Sequence, residues 1–214
     1  TNHQPLIDIY KKASAHPKVK KAFVTSGIRH DLLTGKNEEE NKNNHYDEYT
    51  EQLVKHHVSG RLKIAPEHTS DQVLKVMRKP SFKFFHAFKK NFDRICKKAG
   101  LKQQLIPYFI SSHPGSQVED MANLACETKD LGFQLEQVQD FTPTPMTVAT
   151  VIYYSGYHPY TLKRMYTART PHEKKDQHRF FFWYKKENRA WIYNTLKRAN
   201  KIELVDKLLG KSRK

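Results

Sequence analysis

A chain of 214 residues, 37% hydrophobic and 28% charged, is long enough for one good-sized core, or for a large domain with a small extension. It has no apolar run near the roughly 20 residues of a membrane span, and its two cysteines exclude a disulfide scaffold and suit a reducing cytoplasm. The net charge of +16 is uneven: residues 161–214 carry 16 Lys+Arg against 5 Asp+Glu, while residues 1–160 carry 22 against 17. A polyanion would be drawn to the C-terminal end.

In chain order, helix and strand signals alternate. "QPLIDIYKKASAHP" places Leu6, Ile9, Tyr10 and Ala13 on one helical face, with Pro5 suited to the first turn and Pro17 beyond the end. "KKAFVTSG" is short, apolar and β-branched, which predicts a buried strand. "TGKNEEENKNNH" has no period and predicts an exposed loop. Tyr46, Tyr49, Leu53 and His57 return to helical spacing, and "RLKIAP" predicts a second strand. Thr69 and Gln72 have the spacing of a capping box for the next helix.

A longer helix is expected from Ser81 to Ala99, with Phe82, Phe85, Phe88, Phe92, Ile95 and Ala99 along one side and Gly100 to stop it. That aromatic row predicts core rather than a platform for bases. "QQLIPYFIS" predicts a third strand, and Ser116 with Glu119 a capping box opening a helix that ends near Gly132. "FQLEQVQDF" predicts a fourth strand, followed by the Pro-punctuated "TPTPMT". Cys96 and Cys126 both fall on helical patterns and are expected as buried thiols. Nothing has CxxC or HExxH spacing.

Four strands separated by helices imply parallel pairing, with both faces of the sheet covered. The expected fold class is α/β, a piece of a (βα) barrel, with an open doubly wound sheet as the rival. In either case the ligand site forms at the carboxyl ends of the strands. Those ends carry Ser26, Arg29, His30, Glu67, His68, Ser111, Ser112, His113, Gln139 and Thr142. Arg29 can clamp a carboxylate or phosphate. Glu67 can accept from an ammonium or a ribose diol. His113 precedes Gly115 and Ser116 at a helix start, where free backbone N–H groups favour an anion. Each has a plain alternative, since Arg29 and Glu67 can be structural ion pairs and Ser116 a helix cap.

Three stretches, "LKIAPEHTSDQVLKVMRKP", "LIPYFISSHPGSQVEDM" and "QVQDFTPTPMTVATVIYYSG", resemble the later strands and helices of radical S-adenosylmethionine enzymes of the YgiQ type. "HEKKDQHRFFFWYKKENRAWI" is similar to that branch's C-terminal extension. The resemblance implies two parts: residues 1–156 as the last four strands of a six-stranded partial barrel, and residues 157–214 as a basic, mainly helical extension. It implies S-adenosylmethionine across the strand ends beside a [4Fe–4S] cluster, and reductive cleavage of the cofactor to a 5′-deoxyadenosyl radical. The cofactor-binding positions it implies are Ser26, Arg29, Glu67, His68, Gly115, Ser116 and Gln139.

The chain departs from the family pattern in having no CxxxCxxC loop and no glycine-rich second-strand motif. Both are expected upstream of Thr1, so this chain is expected to be an inactive fragment of an enzyme. Two thiolates are too few for such a cluster. Self-association through the cut sheet edges is a further expectation. The competing function is an RNA-binding module built on the basic tail, with Phe180 to Tyr184 and Trp191 among Lys185, Lys186 and Arg189. A barrel enzyme taking a phosphorylated metabolite at His113–Ser116 is a third.

Overall fold

The computed structural model describes residues 2–35 and 37–210. Lys36 of the polar loop and the last four residues of the basic tail, 211–214, lie outside the described residues, as does Thr1. The helices are α1 (Gln4–Ala15), α2 (Glu38–Asn43), α3 (Tyr46–His56), α4 (Asp71–Val76), α5 (Lys83–Ala99), α6 (Val118–Asp130), α7 (Val148–Ser155), α8 (Pro171–His178), α9 (Lys186–Arg198) and α10 (Ile202–Leu209). The strands are β1 (Arg61–Glu67), β2 (Gln104–Ser111) and β3 (Gln137–Asp140), neighbours in the order β1-β2-β3. The fold is α/β with a three-stranded parallel sheet. Among the described residues no helix is long and apolar enough to cross a membrane.

The chain divides into two compact units: Thr1–Pro66 with Phe82–Pro107, and Glu67–Ser81 with Tyr108–Lys214. The first is organised by α5. Phe82, Phe85, Phe88, Phe92 and Ile95 are buried at three- and four-residue intervals, so one side of the helix is continuous core. Each such ring contributes roughly 1.5–3 kcal/mol of burial. Gly100 ends the helix at φ +64°, a left-handed position that costs glycine nothing. Ala99, expected on the apolar side, is exposed because the stripe stops one turn earlier. Tyr46, Tyr49 and Leu53 are buried on α3 as their spacing predicts.

The sheet differs from expectation in three ways. The segment "KKAFVTSG" forms no ladder. Ile28 alone makes a parallel bridge to Ile64, with Val24 N–H donating to His57 O and Ile28 N–H to Lys63 O. Lys21, Phe23, Thr25 and Ser26 are exposed, and a bend at Ser26–Gly27 interrupts the run. The fourth expected strand shortens to Gln137–Asp140, paired Tyr108↔Gln137 through Ser111↔Asp140. Finally, the strands do not bury both faces. Along β2, Leu105, Pro107, Phe109 and Ser111 are buried while Ile106, Tyr108 and Ile110 stay half-exposed; β1 alternates likewise. Apolar runs such as "QLIPYFIS" look two-sided because Pro, Tyr and Ile hide the period of two.

Local signals also shift. Ile7, not Leu6 or Ile9, is the buried residue of α1, so its apolar face is rotated from the expected one. Thr69–Gln72 and Ser116–Glu119 are not the capping boxes: Ser70 precedes α4, and Gln117 with Asp120 opens α6. Ser70 makes no side-chain cap hydrogen bond, whereas at α6 Gln117 takes the cap next to the buried Ser116. Cys96 and Cys126 are buried thiols, as expected.

Replacing Phe92 by Ala should cost about 3–5 kcal/mol in denaturant unfolding, against less than about 0.5 for Lys90→Ala on the exposed side of α5. Equal effects would contradict the helix's assignment as the core of its unit.

Candidate functional site

In the second unit a cleft of about 570 Å³ opens at the carboxyl ends of the strands. Glu67 from β1, Ile110 and His113 from β2 and its loop, and Gln139 and Thr142 from β3 and its loop all line it, with Arg78 and Lys79 beyond α4. The strand register explains the grouping. Ile110 pairs with Gln139 and Tyr108 with Gln137, so these four share the half-open face, and Tyr108 Oη donates to Gln139 Oε1 at 2.6 Å. Ser111 and Asp140 point to the opposite face and hydrogen-bond each other there.

Glu67 is the most unusual group of the cleft. It takes φ +67°, a conformation that strains a non-glycine residue. Oε1 accepts from Lys79 Nζ at 3.2 Å. Oε2 is buried and has no hydrogen-bond partner among the described residues. An unmet carboxylate oxygen in a cleft is a strong acceptor waiting for a donor. Ser112 repeats the pattern, with φ +60° and a buried Oγ that also lacks a partner among the described residues.

Behind the cleft lies a closed polar network. His68 is fully buried, and its Nδ1 accepts from Thr69 N–H at 2.9 Å and Ser70 N–H at 3.0 Å. Two donors on Nδ1 put the proton on Nε2, which faces Ser116 Oγ at 3.4 Å. Ser116 Oγ donates to Gln177 Oε1 at 3.0 Å, and Gln177 Nε2 returns a bond to Ser116 O at 2.7 Å. Gln177 Oε1 also accepts from Ser112 N–H at 2.9 Å. Gln177 is itself fully buried on α8. Burial, then the nearby His113, lowers the His68 pKa to about 3. Burial lowers that of His113 to about 4, against a hydrogen bond to Pro114 O. Both imidazoles are therefore neutral at pH 7.

Of the residues singled out in the sequence, Glu67 and Gln139 meet in the cleft, together with His113 and Thr142. His68 and Ser116 stand behind it, engaged within the protein. Gly115 holds φ +89°, donates to Tyr166 O at 2.8 Å, and would place a Cβ 3.1 Å from Met165 Cε, so glycine is required there. Ser26 and Arg29 lie in the first unit. Ser26 is exposed, and Arg29 forms a two-point ion pair with Asp31 at 2.5 and 2.8 Å, which raises its pKa. His30 is buried against Phe85 in that unit.

Sequence reasoning missed Lys79, Asp140, Gln177 and His178. Burial opposes ionisation of Asp140, but hydrogen bonds from His178 and Ser111 outweigh it and hold the pKa below the usual carboxylate range. Gln177 did leave a trace: it is the only neutral amide in the charged run "HEKKDQHR". The tail aromatics are largely packed inside the unit. Phe180 and Phe181 are fully buried, and Trp191 lies edge-on to Phe180 at 5.7 Å.

Residues 136–214 match the family model of a domain of unknown function, DUF3362. The whole chain is 58% identical to a UPF0313 protein of Bacteroides thetaiotaomicron, covering 34% of it. Similar relatives are a UPF0313 protein of Porphyromonas gingivalis, 54% identical over 99% of this chain and 33% of the relative, and one of Methanosarcina acetivorans, 40% identical over 96% and 26%. The chain thus spans about a third or less of the length of these relatives.

Gln177→Ala should destabilise the protein by about 1–3 kcal/mol for each buried group it orphans, while Lys175→Ala on the same helix stays within about 0.5. Equal unfolding midpoints for the two variants would contradict the network. His68 and His113 have folded pKa values below the unfolded value, so the unfolded state binds more protons in acid. Stability is then complete above about pH 6.5 and falls as pH drops towards the folded values. Denaturant midpoints should decline from about pH 7 to about pH 5, with a shallower decline in His68→Gln. A flat profile would contradict the burial of neutral imidazoles.

Proposed function

We propose that this chain is the later part of a radical S-adenosylmethionine enzyme and supplies the wall of its cofactor and substrate cleft. The unmet Glu67 oxygen at the carboxyl end of a parallel strand is the observation that carries the reading. Parallel α/β folds gather ligands at that end of the sheet. The half-open face of β2 and β3 suits the interior of a partial barrel, and the 1–156 and 157–214 division follows from the same reading. The greater length of the UPF0313 relatives leaves room for the remaining strands. Two buried free thiols suit a cytoplasmic enzyme.

S-adenosylmethionine offers the donors that Glu67 lacks: an ammonium group and a ribose diol. The cofactor, when bound, would supply a 5′-deoxyadenosyl radical on one-electron reduction. The chain's own residues do the holding. Lys79 binds Oε1 of the Glu67 carboxylate and leaves Oε2 without a partner among the described residues. Gln139, whose Oε1 is tied to Tyr108, keeps its amide N–H₂ free to donate in the same cleft. Ile110 and Phe141 give apolar wall, and neutral His113 adds no positive charge that would repel a sulfonium. On the resemblance, the cluster's ligands come from a CxxxCxxC loop that these residues do not include.

The test is anaerobic iron–sulfur reconstitution of the protein in the full length its gene encodes. Broad visible absorption and reductive release of 5′-deoxyadenosine are the expected results. Glu67→Gln should retain absorption but weaken cofactor binding about 10- to 100-fold, the worth of a hydrogen bond to a charged group. A colourless preparation, or unchanged affinity in the variant, would count against the reading.

A further inference from the structure

Between Asp140 and Glu173 the sequence has no acidic residue, yet it holds Lys163, Arg164, Arg169 and five tyrosines. The structure turns much of this stretch outward. Tyr154, Tyr157 and Tyr160 are 70%, 50% and 69% exposed. A bridge between Tyr157 and Arg164, supported by Met165 N–H donating to Gly156 O, closes the stretch between them into a compact loop with Tyr160 near its tip. Exposing several large rings is costly unless something covers them. Arg78 lies over the Tyr160 ring at 5.2 Å and also lines the strand-end cleft, so the loop borders the cleft's mouth.

Following the loop in sequence, Arg169, Lys174 and Lys175 line a shallow pocket of about 420 Å³ together with His178 and Asp140. Arg169 joins the two features, since its Nη2 donates to Tyr154 O at 3.0 Å. The nearby carboxylates are occupied: Glu173 caps α8, Asp176 pairs with Arg179 and His172, and Asp140 takes His178 and Ser111. Among the described residues none of Lys163, Arg164, Arg169, Lys174 and Lys175 is within ion-pair distance of a carboxylate, although Lys174 Nζ donates to Phe141 O at 3.4 Å, lies over the Tyr153 ring and is attracted by Asp140.

Exposed rings beside unpaired cations on an acid-free segment match the chemistry of a single nucleic-acid strand, whose phosphates need cations and whose bases need flat apolar faces. We propose that the Tyr157–Arg164 loop and the Arg169–Lys174–Lys175 pocket form a binding site for single-stranded nucleic acid. The bases stack on Tyr157 and Tyr160, and a phosphate sits in the pocket. The site stands on its own observations and needs no particular chemistry in the cleft. It also differs from a site on Phe180 and Phe181, whose rings are buried.

The test is fluorescence anisotropy with the full-length protein and a labelled oligonucleotide of about 12 nucleotides, as RNA, as DNA, and as duplex. The single strands should bind at least about ten times more tightly than duplex, because paired bases cannot stack on the loop. Tyr157→Ala with Tyr160→Ala should weaken binding at least about 10-fold, while Tyr160→Phe, which keeps the ring, stays within about two-fold. Lys174→Ala with Lys175→Ala should lower the slope of log affinity against log salt by about 1.4. Tighter binding of RNA than of DNA would identify RNA as the strand, and equal binding any single strand. Absent or salt-independent binding, equal duplex affinity, equal competition by an acidic peptide, or unchanged binding in the tyrosine variants would overturn the proposal.

Discussion

One buried carboxamide holds the second unit's strand-end loops together. Gln177 on α8 accepts from Ser112 N–H and Ser116 Oγ and donates to Ser116 O, while Ser116 also meets His68 from the loop after β1. Four polar groups from three separate parts of the sequence thus satisfy one another away from water. A buried network of this kind is worth keeping only when complete, because each unmet group costs more than a bond contributes. Two polar atoms next to its members stay unmet among the described residues. The buried oxygens left over, Glu67 Oε2 and Ser112 Oγ, both lie at strand ends.

That contrast links the fold to its use. A parallel sheet brings the strand ends together, and the Gln177 network keeps the loops beyond them from relaxing to satisfy their own polar atoms. Glu67 and Ser112, next to members of that network, both take positive φ, a conformation that their own residue types disfavour. A prearranged acceptor of this sort gives a ligand its binding energy without a reorganisation cost. The exposed tyrosines and unpaired cations beside the cleft add a second surface, suited to a much larger partner.

Much of the scaffold was legible in the sequence. The three- and four-residue spacing of Phe82, Phe85, Phe88 and Phe92 announces α5, and "RLKIAPE" and "QLIPYFIS" announce β1 and β2. Glu67, Gln139 and His113 follow as strand-end residues, and the structure brings them to one cleft. What stayed hidden depends on distant partners. No local pattern shows that Gln177 reaches Ser112 and Ser116, more than sixty residues away. "KKAFVTSG" has strand propensity, but only Ile28, just past its end, bridges to β1, and propensity says nothing about neighbours. The caps were misread because Ser, Thr and Gln lie side by side there, and only packing chooses among them.

The central claim is that the strand-end cleft takes a ligand through the free Glu67 oxygen. Hydrogen exchange on the full-length protein, with and without S-adenosylmethionine, tests it most directly. Slower exchange concentrated at residues 67–70, 112–116 and 139–147 is the predicted result, with the effect lost in Glu67→Gln. Protection elsewhere in the chain, with those three segments unchanged, would contradict it.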